Sequence, residues 1–165
     1  MPSMTRVAAP LMICFALAAG VPALALAQAQ PMYGPSITAD TAKKIAPAAI
    51  AEAKKNNWTM AIAIVDTHGE LVYFERMDDV QQGSVDVALA KARSAARFKR
   101  PTKVFQDGLA AGGAGLRLLS LEGAVPVEGG VPLVVGGKIV GAIGASGGTS
   151  EQDGVVANAA VAALK

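Results

Sequence analysis

The chain has 165 residues, with 15 Lys and Arg against 13 Asp and Glu and a formal net charge of +2. No run of like charge exceeds a few residues, so neither nucleic acid nor an anionic membrane surface is indicated as a partner. One cysteine and one histidine exclude a disulfide framework and a multi-histidine metal site, and an aromatic content of 4% argues against a stacked-ring sugar platform.

Residues 1–27 read as a secretory signal peptide. Arg6 gives a positive start, Val7 to Ala19 is almost wholly apolar, and Ala25-Leu26-Ala27 offers a small-x-small cleavage site before Gln28, with Ala27-Gln28-Ala29 as an alternative. The apolar run falls short of the roughly 20 residues of a membrane span, and Gly20 and Pro22 interrupt it, so no membrane insertion is expected after cleavage. Cys14 leaves with the signal, and the bulky Ile13 before it disfavours lipid attachment. The mature chain is expected to be secreted or periplasmic, a single domain held by packing.

Residues 28–37, with Pro31, Gly34 and Pro35, read as a linker, and the domain is expected over 38–165. Thr38 or Asp40 can cap a helix to about Asn56, with Ala42, Ile45, Ala46, Ala49, Ile50 and Ala53 on one face and Pro47 as a kink. Trp58 to Val65 and Glu70 to Met77 read as strands joined by the turn Asp66-Thr67-His68-Gly69. Ser84 can cap a helix to Phe98, with Val85, Leu89, Ala92 and Ala96 on its buried face. Pro101-Thr102 reads as a turn and a fresh cap for a short helix to Gly108, after which Ala111 to Gly115 is flexible and Leu116 to Leu121 is predicted as a third strand. Two further apolar runs meet across Gly136-Gly137, which supplies the positive φ angles of a hairpin turn. Ser146-Gly147-Gly148 then leads to a last helix from about Ser150, with Glu151 and Asp153 at its positive end.

Hairpins forbid an all-parallel sheet, so the order of elements predicts an α+β domain with a central antiparallel sheet and helices packed on it. The first and last helices are too apolar for ordinary exposure. They lie on the sheet or against another subunit, and a homo-oligomer is expected.

The candidate chemistry is spread along the chain. His68, at a hairpin tip, reads either as a solvated turn residue or as an iron ligand or proton donor. Arg76, in Arg76-Met77-Asp78-Asp79 at a strand end, reads as an Arg-Asp surface pair or as a cation for a carboxylate. Lys91 reads as a salt-bridge partner in preference to a buried, Schiff-base-forming amine. Arg93, Arg97, Lys99, Arg100 and Lys103 form the nearest approach to a basic patch and read as a solvated helix end. Ser146, with no visible base and no G-x-S-x-G elbow, is a weak nucleophile candidate. The glycines around 129–130 and 146–148 either hold an anion on bare amides or only permit close packing.

Ala63-Ile64-Val65-Asp66 with Gly69, Arg76-Met77-Asp78, Lys91-Ala92, Phe98 through Pro101-Thr102, Gly129-Gly130-Val131-Pro132, and Gly141 through Gly148 with Gln152-Asp153 together resemble the GlcG/HbpS-like haem-degrading domain family, from about residue 40 to 165. The resemblance implies an α-β-α sandwich of profilin/PAS-like topology, frequent homo-oligomers and haem binding, and a related domain occurs in some corrinoid adenosyltransferases. Carried over residue by residue, it implies roles for His68, Arg76, Thr102, Gly129, Gly130, Pro132 and Ser146. The expectation is a haem-binding protein for sequestration, sensing or iron-linked redox defence. The ligand site would be drawn from Arg76, Arg97, Thr102, Gly129, Gly130, Pro132, Ser146 and Gly147, with His68 at the metal and no catalytic residue. Two other readings stand beside it. One is an enzyme acting on a small carboxylate, with Ser146 at an anion hole and Asp66 or Asp153 as acid-base group. The other is a structural oligomer. A sensor partner is left open.

Overall fold

The computed structural model describes residues 30–165. The signal peptide read over 1–27, its cleavage sites and Cys14 lie outside the described residues. The elements are α1 Ala39–Lys55, β1 Ala61–Val65, β2 Leu71–Arg76, α2 Gly83–Phe98, α3 Thr102–Ala110, a 3₁₀ helix Gly113–Ser120, β3 Gly130–Val135, β4 Lys138–Ser146 and α4 Ser150–Ala163. The four strands form one antiparallel sheet in the order β2-β1-β4-β3.

Side-chain size decides which helix takes which face. Ile62 and Ile64 of β1, Leu133 of β3 and Ile143 of β4 point to the face where α1 and α4 pack, against Ile45, Ala49, Val156 and Ala160. Ala61, Ala63 and Val65 of β1 and Ala142 of β4 point the other way, against Ala88, Ala92, Ala95 and Ala96 of α2. The small residues let α2 lie almost on the backbone of the sheet. A Cβ at Gly144 would sit 2.0 Å from the carbonyl oxygen of Ala88. The result is the expected α-β-α sandwich in which all five residues of β1 are buried.

Local chemistry sets the boundaries. Thr38 Oγ1 accepts from Thr41 N at 3.2 Å to start α1, whose buried face is the six residues read from the periodicity, with Pro47 inside the helix. Gly136 and Gly137 have φ of 56° and 74°, the two left-handed residues that a tight β3–β4 turn demands. A reciprocal cap between Thr149 and Gln152 opens α4.

Four local expectations are corrected. Leu116–Leu121 is no strand: after Gly112 and Gly113, both at positive φ, the chain turns back as a 3₁₀ helix onto α3, bringing Leu118 against Gly108. Ser84 does not cap α2, because its Oγ is taken up by Ser146 Oγ at 3.2 Å and Gln81 Nε2 at 3.0 Å. Of the expected buried face of α2, Ala92 and Ala96 are buried, together with Ser84, Ala88, Lys91, Ser94 and Ala95, while Val85 and Leu89 are half-buried. Residues 32–37 are more than a linker. Ile139 N donates to Met32 O at 2.9 Å, Gly34 N to Ile139 O at 2.8 Å and Ile37 N to Val140 O at 2.7 Å, so the segment continues along β4 where β1, paired only to Ala142, has ended.

Candidate ligand-binding site

The glycine-bearing loops converge on a buried ion pair. Lys91, 1% exposed on α2, places Nζ 2.6 Å from Asp153 Oδ2 in the first turn of α4 and donates to Ala145 O at 3.3 Å. Asp153 Oδ1 accepts from Gly148 N at 3.0 Å. Burial pushes the Asp153 carboxyl above its ordinary range, against the opposing pull of Lys91 and the backbone donors. Gly129 runs over this pair. A Cβ there would come within 2.9 Å of Lys91 Nζ and 2.7 Å of Ala145 O, and the residue has φ of 124°. Gly130, whose Cβ would meet Lys91 O at 2.3 Å, donates its N–H to Thr102 Oγ1 at 2.9 Å.

These contacts fix what the loops can do. Thr102 is the first residue of α3 and not its cap, and its buried hydroxyl anchors the start of β3. Ser146 is buried and donates to Ser84 Oγ. Gly147 lets the backbone pass Thr59, whose carbonyl oxygen would lie 2.0 Å from a Cβ. The Gly148 amide, one of the bare amides that an anion hole would need, holds the chain's own carboxylate. Among the described residues no buried polar side-chain atom lacks a partner. Gly129, Gly130, Thr102, Ser146 and Gly147 are therefore brought together by the structure, as a close-packed junction between α2, β3, β4, α3 and α4.

His68 and Arg76 stand at opposite ends of β2, roughly 20 Å apart at the rise of a six-residue strand. The His68 side chain is 82% exposed at the β1–β2 tip, with Nδ1 3.8 Å from Asp66 Oδ2. Burial alone would raise the Asp66 carboxyl, but the backbone N–H groups of Glu70 and His68 donate to it and hold it below its ordinary value. Arg97 staples this tip to α2, donating from Nε to His68 O at 2.9 Å while its Nη2 lies 3.6 Å from Glu70 Oε1. Arg76 shares a shallow recess of about 290 Å³ with Lys54, Glu75, Met77 and Asp78, a mixed-charge surface.

A wider opening lies elsewhere, between the outer edge of β3, the α2–α3 corner and the N-terminal segment. It is a cleft of about 670 Å³ walled by Val104, Val131, Pro132, Val134 and Ile139, with Gln30 and Pro31 on one side and Lys99, Arg100 and Pro101 at the corner. Such a volume falls in the roughly 300–1,000 Å³ range of small-molecule sites, and the wall is apolar as those sites are. Of the sequence-derived site residues only Pro132 lines it. Lys99 and Arg100 were read as part of a solvated helix end, and Val104 and Val134 carried no signal. The pointer available in the sequence is Pro101, which follows the end of α2 directly after the two cations.

Among the described residues no group of three or more His, Cys, Asp or Glu side chains could hold a metal ion. No helix of the described residues is long and apolar enough to cross a membrane.

A family model described as haem degrading protein HbpS-like matches residues 37–162. The chain is 37% identical over 128 residues to an uncharacterized 15.0 kDa protein in the dhaT-dhaS intergenic region of Citrobacter freundii, covering 76% of this chain and 90% of that protein. It is 40% identical over 95 residues to protein GlcG of Escherichia coli K12, covering 58% of this chain and 69% of GlcG. A solved PduOC:haem complex superposes with a TM-score of 0.71 at 29% identity, covering 79% of this chain and 96% of that one.

Proposed function

Because this chain belongs to the HbpS-like haem-degrading protein family, we propose that it is a secreted or periplasmic haem-binding protein that holds its ligand without turnover. The observation that carries the reading is the apolar cleft beside β3, in a fold shared with a structure solved as a haem complex. Val104, Val131, Pro132 and Val134 offer an apolar wall, and Lys99 and Arg100 line it as cations, which fits a porphyrin ring carrying carboxylates. Bound haem would supply the iron for ligand exchange or one-electron chemistry. The residues of this chain bind and orient the ring and shield one of its faces from water. Export rests on the pattern of residues 1–27.

The cleft lining holds no His, Cys, Met or Tyr. His68, the one histidine of the chain, faces outward at the β1–β2 tip and would meet iron across a contact between copies. Exposed Leu116 and Leu119 on the 3₁₀ helix, and Leu121 just after it, support a homo-oligomer.

Adding haemin to micromolar protein should give a saturable shift of the Soret band, and a featureless titration would reject haem binding. His68→Ala should leave saturation intact but move the band. An unmoved band would clear His68 of ligation. Sedimentation should report a species larger than one chain, and a monomer at all concentrations would remove the inter-copy role of His68. Intact mass of protein recovered from the periplasm or medium should correspond to a start at Gln28 or Gln30, and a full-length mass there would contradict cleavage.

A further inference from the structure

The α2–α3 corner is built to present charge. Lys99 closes α2 in the left-handed conformation, φ 56°, which a side-chain-bearing residue adopts rarely, and Pro101 follows at φ −59°. That backbone sends the two successive cations onto different rings. Lys99 Nζ lies 4.3 Å from the centroid of Tyr33, and the Arg100 guanidinium lies 5.7 Å from that of Phe105. Arg100 Nε donates to Phe98 O at 3.1 Å, which fixes the plane of the group and leaves its terminal nitrogens for another acceptor.

The neighbouring cations are spent on carboxylates. Arg97 faces Glu70, and Lys103 faces Asp107 and Glu128. Among the described residues neither Lys99 nor Arg100 has an acidic partner within salt-bridge distance. Both line a cleft whose wall is valine, proline and isoleucine, and Arg100 also borders the neighbouring recess of Phe98, Phe105 and Arg117.

We infer that Lys99 and Arg100 form a two-cation clamp that takes the paired carboxylates of a flat amphipathic tetrapyrrole lying against β3. The choice of a tetrapyrrole rests on the haem-binding reading above; the need for anionic groups on an apolar body does not. An inorganic anion would leave the valine wall unused, and a neutral lipid would leave two cations uncompensated. A dicarboxylate ring satisfies both at once, with a bidentate carboxylate contact available at Arg100.

The test uses the full mature chain with haemin, metal-free protoporphyrin IX and protoporphyrin IX dimethyl ester. The probes share a ring but differ in iron and in carboxylate charge. Binding of the free acid should weaken about tenfold or more in Lys99→Gly/Arg100→Gln, weaken with added salt, and be unchanged in Lys44→Gln, a cation exposed on α1. Glycine at position 99 keeps the left-handed turn, and an unchanged far-ultraviolet dichroism spectrum shows that the fold is kept. The ester should bind both proteins equally weakly. Equal affinity of the double variant and the parent for the free acid, or of acid and ester for the parent, would overturn the clamp while leaving haem binding intact. Clamp-dependent binding of the free acid with no Soret response to haemin would uphold the clamp and remove haem as ligand. Absence of binding by all three probes would remove both.

Discussion

Lys91 and Asp153 show how one pair of residues can hold three layers together. The lysine comes from the helix under one face of the sheet and the aspartate from a helix on the other, and Gly129, which has no side chain, lets them meet. Removing one partner strands the other charge away from water, so Asp153→Ala should cost about 3–5 kcal/mol. Replacing both, as Lys91→Met with Asp153→Leu, should recover most of that loss, less the cost of leaving the Gly148 N–H without its acceptor. Urea denaturation of the single and double variants measures the difference, and a loss under about 1 kcal/mol for Asp153→Ala would mean that Lys91 finds another acceptor. Half of this was legible in the sequence. A salt bridge was the expected state of Lys91, but its partner stands 62 residues away, and no local pattern connects them. From the sequence, Asp153 reads as a charge favourable to a helix N-terminus or as an acid-base group; in the structure it sits in the first turn of α4 and closes the glycine loop by accepting from Gly148 N.

Elements were readable wherever their own residues decide their shape. Both hairpins follow from apolar runs around a turn that needs left-handed residues, and the face of α1 follows from its periodicity. The segment Leu116–Leu121 failed because a strand requires a partner edge, and Gly112 and Gly113 turn this one onto α3. Periodicity on α2 misled for a different reason. Its larger residues, Val85 and Leu89, are displaced from the centre of the face because the sheet beneath presents Ala61, Ala63, Ala142 and Gly144, and only alanines fit so close an approach. That closeness predicts that Gly144→Ala is destabilising by about 1–3 kcal/mol or more through overpacking against the Ala88 carbonyl, since backbone on both sides must move. Gly83→Ala, where a Cβ would meet nothing within 4 Å, should be neutral or slightly stabilising. Thermal unfolding of the two variants separates the cases, and equal midpoints would mean that α2 shifts without cost.

At the scale of the whole molecule, the N-terminal segment links the fold to the cleft. Residues 32–37 are held by three backbone bonds to β4, by the Tyr33 hydroxyl donating to Ala96 O at 2.9 Å, and by burial of Ile37. Each bond contributes about 1 kcal/mol net and the isoleucine about 1.5–3 kcal/mol, whereas fixing each residue costs about 1–2 kcal/mol of conformational entropy. The opposing totals are comparable, so the segment should open on its own while the sheet stays closed. Gln30 and Pro31, which precede it, form one side of the cleft, and Tyr33 carries the ring under Lys99. A ligand seated there would contact the segment only in its closed state and would stabilise that state by mass action. Amide hydrogen exchange should therefore find Gly34 and Ile37 exchanging orders of magnitude faster than Ile62 and Ile143, and slowing on addition of haemin with the β1 and β4 amides little changed. Protection of the segment equal to that of β1 in the free protein would make it a fixed part of the sheet. Exchange indifferent to saturating haemin would place the ligand away from this wall.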